Sequence, residues 1–305
     1  MQLVIPFAAP PPDAPAEALA GLALPHLRAL LPALVPTERN EGDAYQLSPP
    51  HERVLAQAWG WEGGDGALPF AAQAAAADGL DPGDLAWGLL SPVHWQVGRE
   101  HLTMGDPEAL GLDAAESRAF LDALRPLFES EGWLCAWGAP TRWYLAHESL
   151  DGLPTASLAR VVGRNPDLWL PDAPQARSLR RLVSEVQMLL YTHPLNTARE
   201  ARGALPLNSV WLSGCGARQP EARAPLRVLD ALRAPALQGD LAGWRAAWGA
   251  LDGGVLAEAR AAGGCTLTLC GERHAQTFAP RPRSWLRTLR ARLGAVDPID
   301  WLKAL

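Results

Sequence analysis

The run Leu205-Pro206-Leu207-Asn208-Ser209-Val210-Trp211-Leu212-Ser213-Gly214-Cys215-Gly216 constrains this chain most. Its apolar centre reads as a short buried strand over 207–213 that ends abruptly in a glycine-rich turn. Asn208 and Ser209 form a polar pair at the strand's start, and two glycines flank a cysteine at its end. In α/β proteins such a junction brings backbone N–H groups close to a ligand. The strand also needs helices to cover it, and the sequence supplies them immediately upstream. Leu179, Leu182, Val183, Val186, Leu189 and Leu190 recur at helical spacing, and Pro194 ends that helix. A second, shorter helix is expected to begin at Thr197, with Glu200 completing a capping box, and to stop at Gly203.

The rest of the chain sorts into two halves. A first strand over 2–7 is followed by an Ala/Leu helix over 16–33 that Pro25 must kink or split. Short helices over 51–60 and 67–78 are separated by the loop Glu62-Gly63-Gly64-Asp65-Gly66. Segments 86–97 and 101–104 flank Gly98-Arg99-Glu100 as a hairpin. Asp113 with Glu116 starts a helix that Gly132 closes. Residues 133–137 and 142–147 form a further hairpin around Gly138-Ala139-Pro140-Thr141. Later, helices near 239–250 and 252–262 lead into a buried strand at 266–269, and 281–293 is expected to be a basic helix. Hairpins early and helix-separated strands late predict an α/β fold: a mixed β-sheet flanked by helices, with an antiparallel, hairpin-rich first half. A single α/β domain over 1–305 is expected, and any subdivision is expected near the Pro-rich stretch 166–174.

Composition narrows the functional classes. The 305 residues are 48% hydrophobic and 20% charged, enough apolar content for a sizeable core. A net charge of −6 gives no general basic surface, so nucleic acid is not an expected partner. Lys303 is the only lysine, which removes a Schiff-base mechanism. Cys135, Cys215, Cys265 and Cys270 lack metal-ligand spacing and suggest neither a zinc site nor a disulfide framework. The start is broken by Pro6 and Pro10–Pro12 and does not read as a signal peptide, and no run is long enough to span a bilayer. A cytoplasmic protein with no membrane partner is expected.

The candidate ligand-binding set is His193, Asn196 and Arg199 on the helix pair, with Asn208, Ser209, Ser213, Gly214 and Gly216 at the strand junction. A small anionic ligand or a protein partner is the expected occupant. Cys215 and the serines are nucleophile types, but no complete triad accompanies them. His94 and His101, with Glu100 or Asp106, could bind a metal if adjacent strands brought them together. Asp78-Gly79-Leu80-Asp81-Pro82 reads as a turn. Arg273, His274, Arg281, Arg283, Arg287, Arg290 and Arg292 form a basic C-terminal stretch that is either a solvated face or an anion or partner surface.

Residues Glu185–Leu190, His193–Gly203 and Pro206–Gly214 together resemble the RpfE-type regulatory proteins of proteobacteria. Ser91-Pro92-Val93-His94, Arg99-Glu100-His101-Leu102 and Arg142-Trp143-Tyr144-Leu145 fit the same pattern. Members of that family are often labelled as cofactor-independent phosphoglycerate mutases, and Asn208–Gly214 is similar to a strand and turn of the archaeal-type mutases. The resemblance implies an alkaline-phosphatase-like relation, with two metals held by aspartates and histidines and a Ser or Thr nucleophile. This chain departs from it where the metals would bind: the first strand runs into Phe7-Ala8-Ala9-Pro10, without a carboxylate. The expected function is therefore a regulatory or binding protein without cofactor. The alternative is a metal-dependent phosphoglycerate mutase or phosphohydrolase using Mn²⁺ or Mg²⁺ on an atypical ligand set.

Overall fold

A computed structural model describes residues 1–11, 14–98, 101–170, 177–220, 226–281 and 297–305. The chain opens with β1 (Gln2–Ile5), then α1 (Pro25–Leu30), β2 (Leu34–Asn40), α2 (Pro50–Trp59) and α3 (Phe70–Ala77). Next come β3 (Ala86–Val93), β4 (Trp95–Val97), β5 (Leu102–Met104), α4 (Ala114–Ser130), β6 (Leu134–Ala139) and β7 (Arg142–Ala146). The helices α5 (Leu158–Val161), α6 (Arg177–Tyr191) and α7 (Pro194–Ala201) lead into β8 (Ser209–Ala217) and β9 (Leu226–Val228). The chain closes with α8 (Arg233–Leu237), α9 (Leu241–Leu251), α10 (Ala257–Ala261), β10 (Thr266–Cys270), β11 (Ala275–Pro280) and α11 (Pro298–Lys303). Pro25 begins α1 rather than kinking a longer helix, because a proline lacks only an N–H that the first turn leaves unpaired anyway. The basic helix expected over 281–293 lies outside the described residues from 282 onward.

The chain splits into two compact units. The first comprises Met1–Ala44, Pro49–Trp59 and Ala222–Leu305; the second comprises Tyr45–Ser48 and Gly60–Glu221.

The first unit carries a mixed sheet in the order β2-β11-β10-β1-β9. β1 runs parallel to β10 and β9, while β11 is antiparallel to β10 and β2. Leu3, Ile5, Leu267 and Leu269 pack against Leu27, Trp244, Trp248 and Leu256. Both tryptophans also donate to the sharp bend after β1: Trp244 Nε1 to the Phe7 carbonyl at 2.9 Å and Trp248 Nε1 to that of Ala8 at 3.1 Å. Buried Asp252 caps α1 by accepting from the amides of His26 (3.0 Å) and Leu27 (2.8 Å).

The second unit is built on the antiparallel sheet β6-β7-β3-β8. Side chains alternate across it as a pleated strand requires. Trp143 and Leu145 join Phe120, Leu124, Val186 and Leu190 in the larger core, while Tyr144 and Ala146 meet Ala71, Ala72 and Ala75 of α3 on the other face. β4 and β5 pair as a separate hairpin, as expected from Gly98, with 99–100 outside the described residues. Asp113 caps α4 by accepting from the Glu116 amide at 2.8 Å. Pro126 lies inside that helix without ending it.

The glycine-rich turn expected after residue 213 is instead part of β8, which continues to Ala217. Trp87 pairs with Gly216 and Leu89 with Ser213, so Gly88 alone faces Gly214 and Cys215. That extra residue makes a β-bulge. Gly214 adopts φ +66°, a left-handed conformation open to glycine. The bulge also flips the alternation, which is why Val210, Leu212 and then Cys215 all reach the same core.

Candidate functional site

Most of the residues singled out from sequence spend their polar atoms on the protein's own backbone. α7 begins at Pro194, not at Thr197: His193 is its cap, accepting the Leu195 amide on Nδ1 at 3.3 Å. Proline suits the first helical position, and a side-chain acceptor just before it outcompetes the later Thr197–Glu200 signal. Asn196 is buried and clamps two segments, donating to the carbonyls of Leu190 (2.8 Å) and Leu207 (2.7 Å) and accepting the Leu207 amide (2.9 Å). Arg199 is fully buried; it donates to Glu116 Oε2 at 2.6 Å, to the Leu205 carbonyl at 2.6 Å and to the Leu110 carbonyl. Arg202 shares the same Glu116 carboxylate. Asn208 brackets the main chain of Trp95, accepting its N–H at 2.7 Å and donating to its carbonyl at 2.9 Å. Buried Ser209 accepts from Gln187 Nε2 at 3.0 Å. Ser213 is buried in β8 opposite Leu89.

The bulge glycines serve close packing. A Cβ at Gly214 would sit 3.0 Å from the Ala71 nitrogen, and one at Gly216 would sit 3.1 Å from Pro69 Cβ. Gly214 therefore meets the first turn of α3 rather than presenting a turn to an anion. Cys215 is buried, and burial pushes its thiol up to about 12, far from thiolate chemistry at neutral pH.

His94 Nδ1 lies 2.8 Å from the Pro206 carbonyl, and His101 is exposed. Among the described residues no three His, Cys, Asp or Glu side chains come together to hold a metal. β1 runs into Phe7 and Ala8, neither of them a metal ligand, so the described donors do not fit a two-metal centre. Sequence reading passed over one ionic cluster. Asp78 accepts a fork from Arg142 (2.9 and 2.6 Å) and the Tyr144 hydroxyl at 2.6 Å. Gly138 makes room for it: a Cβ there would lie 2.4 Å from Asp78 Oδ2. The Arg142 bond holds the Asp78 carboxyl below its ordinary range against the opposing effect of burial.

A cleft of about 390 Å³ opens in the second unit where β8 ends. Gly216 and Ala217 form one wall, Glu62–Asp65, Ala67 and Pro69 another, and Asp151, Gly152 and Pro154 a third, with Gln219 completing the lining. Several of its polar groups are held by the protein. Asp65 accepts the amides of Leu47 (2.8 Å) and Ser48 (2.9 Å); Gln219 exchanges two bonds with the Glu62 main chain; Asp151 accepts the Ala217 amide at 3.3 Å. Three carboxylates line the cleft, and no Lys or Arg does. Of the expected site residues, Gly216 alone lies in this lining.

No protein-family model matches the chain, and no curated protein matches it. Among solved structures, the chain is similar to the cofactor-independent phosphoglycerate mutase from Thermoplasma acidophilum, at 14% identity over 99% of each chain, with a TM-score of 0.38. It is also similar to the PH0037 protein from Pyrococcus horikoshii, at 19% identity over 81% of this chain and 60% of that one, with a TM-score of 0.34. No helix among the described residues is long and apolar enough to cross a membrane.

Proposed function

We propose that the chain is a regulatory binding protein of the RpfE type, and that the second unit receives a basic side chain of a protein partner in the cleft beside Gly216. The charge of that cleft carries the reading. Its volume of about 390 Å³ falls in the range of ordinary ligand sites, while Glu62, Asp65 and Asp151 set a negative potential that repels free anions. Glycines and prolines keep the walls low, so a partner's main chain can come close while its Arg or Lys reaches the carboxylates. Of the two expected occupants, the charge of the cleft favours the protein partner over the small anion. The internal roles of His193, Asn196, Arg199 and Asn208 support it, because they make the helix pair a scaffold for β8 rather than a reactive surface.

The test uses a short Arg-rich peptide and calorimetry at two ionic strengths. Binding is expected to weaken with salt and to fall about tenfold in Glu62→Gln, the loss expected for one charge-assisted contact. Asp151→Asn should act in the same direction while still accepting the Ala217 amide. Equal binding by wild type and both variants overturns the reading.

A further inference from the structure

One side chain of the acidic cleft makes the bonds that an added strand would make. Gln219, two residues past the end of β8, accepts the Glu62 N–H on Oε1 at 2.8 Å and donates from Nε2 to the Glu62 carbonyl at 2.6 Å. In an antiparallel ladder a residue exchanges this same pair of bonds with the residue opposite it. The N–H and C=O of Glu62 therefore point the same way, and a side-chain amide 157 positions away along the chain fills them.

The surroundings leave room for a longer occupant. Gly63 and Gly64 follow Glu62 in the lining and carry no side chain, and a Cβ at Gly64 would meet nothing within 4 Å. The Glu62 side chain is exposed beside them. Both bonds from Gln219 lie at the surface, where exchanging one hydrogen bond for another costs little.

We propose that Gln219 holds the place of a partner's main chain: an extended segment displaces its amide, pairs with the N–H and C=O of Glu62, and sets an Arg beside the Glu62 carboxylate. This rests on the reading of the cleft as a partner site and adds the form of the partner, a basic segment bound as a strand. Residues opposite one another in a ladder lie about 5.5 Å apart with side chains on one face. An Arg paired with the Glu62 main chain thus meets the Glu62 carboxylate. Main-chain bonds supply affinity whatever the sequence, and the carboxylate selects the basic residue. The main-chain groups of Glu62 are paired both before and after the exchange.

The probe is a capped, Thr-rich peptide with one central Arg, together with three versions N-methylated singly at the Arg and at each neighbour. Methylation removes one main-chain donor and keeps the Arg side chain. Methylation at the Arg is expected to cost about tenfold in affinity for wild type, and at the neighbours little, because their N–H groups point the other way. Gln219→Ala is expected to bind the unmethylated peptide roughly fivefold tighter, the net worth of about one hydrogen bond. Its Glu62 amide should exchange with solvent faster than in wild type and regain protection at saturating peptide, a recovery that a purely structural Gln219 would not give. Circular dichroism checks the fold of the variant, and the methylated peptides test the wild-type chain independently of it. Affinities that do not depend on which residue is methylated overturn the proposal, as does unchanged or weaker binding by Gln219→Ala. If Glu62→Gln still weakens binding in that case, the strand pairing alone has failed; no binding by wild type or Gln219→Ala removes the reading of the cleft as well.

Discussion

Arg199 shows how a guanidinium can be taken wholly out of water without leaving a donor stranded. Glu116 faces it on one side and the carbonyls of Leu110 and Leu205 on the others, so α4 and α7 are tied together by one residue. Buried charge survives only with such pairing. Asp78 does the same work nearer the surface, joining the end of α3 to the β6–β7 hairpin through Arg142 and Tyr144. Its consequence is a pH dependence with a definite sign. The folded carboxyl titrates below its ordinary value of 3.8 because Arg142 stabilises the charged form. The stabilisation is therefore complete above the unfolded value and is lost as pH falls from there through the folded value. Denaturant unfolding across pH 5 to 2 should show an acid loss in wild type that Asp78→Asn diminishes, the variant being less stable at neutral pH. If both proteins lose stability in parallel over that range, Asp78 contributes nothing to the acid limb. Neither partner could be found from spacing, since 64 positions separate Asp78 from Arg142.

At the scale of elements, β8 owes its shape to one inserted residue. Gly88 faces both Gly214 and Cys215, and the first turn of α3 closes over the bulge at Ala71. Gly214→Ala should cost about 1–3 kcal/mol, from a side chain forced into left-handed backbone and from the contact with the Ala71 nitrogen. Chemical denaturation measures it; a loss below about 0.5 kcal/mol, the size of an ordinary surface substitution, would show that the bulge relaxes freely. Local pattern explains what could be read beforehand here. α6 was legible because its apolar residues occupy one face over four turns, and α4 because Asp113 and Glu116 mark its start. The bulge was not legible, since Gly-x-Gly after a strand looks the same whether the chain turns away or continues with an extra residue. The start of α7 was missed because histidine is a rarer cap than threonine, although His193-Pro194 carried the signal. The site residues were recognised as unusual, but sequence could not show that their partners are backbone atoms brought in from Trp95, Leu110 and Leu207. The carboxylates of the cleft were visible as a loop at 62–66, while Asp151 gave no sign of joining them.

At the scale of the whole molecule, the chain divides into two compact units built from non-contiguous stretches. The first unit is assembled from the two ends of the chain plus α2, whereas 60–221 is nearly continuous and holds its own apolar cores. Composition cannot expose such an arrangement, because the junctions at 59/60 and 221/222 are set by which strands pair across more than 200 positions, as Leu3 does with Leu267. A testable asymmetry results. A fragment spanning 45–221 keeps Leu47 and Ser48, whose amides satisfy Asp65, and retains the sheet β6-β7-β3-β8 with its covering helices. It is expected to fold alone, with cooperative thermal unfolding and a dispersed amide spectrum, because its packing comes from within. Within it, α2 should be sensitive to proteolysis, since Leu55 and Ala56 bury themselves in the unit that has been removed. The fragment should still bind an Arg-rich peptide if the cleft, whose lining lies wholly within it, is the partner site. A fragment that stays unfolded under native conditions would mean that the second unit's core is insufficient by itself.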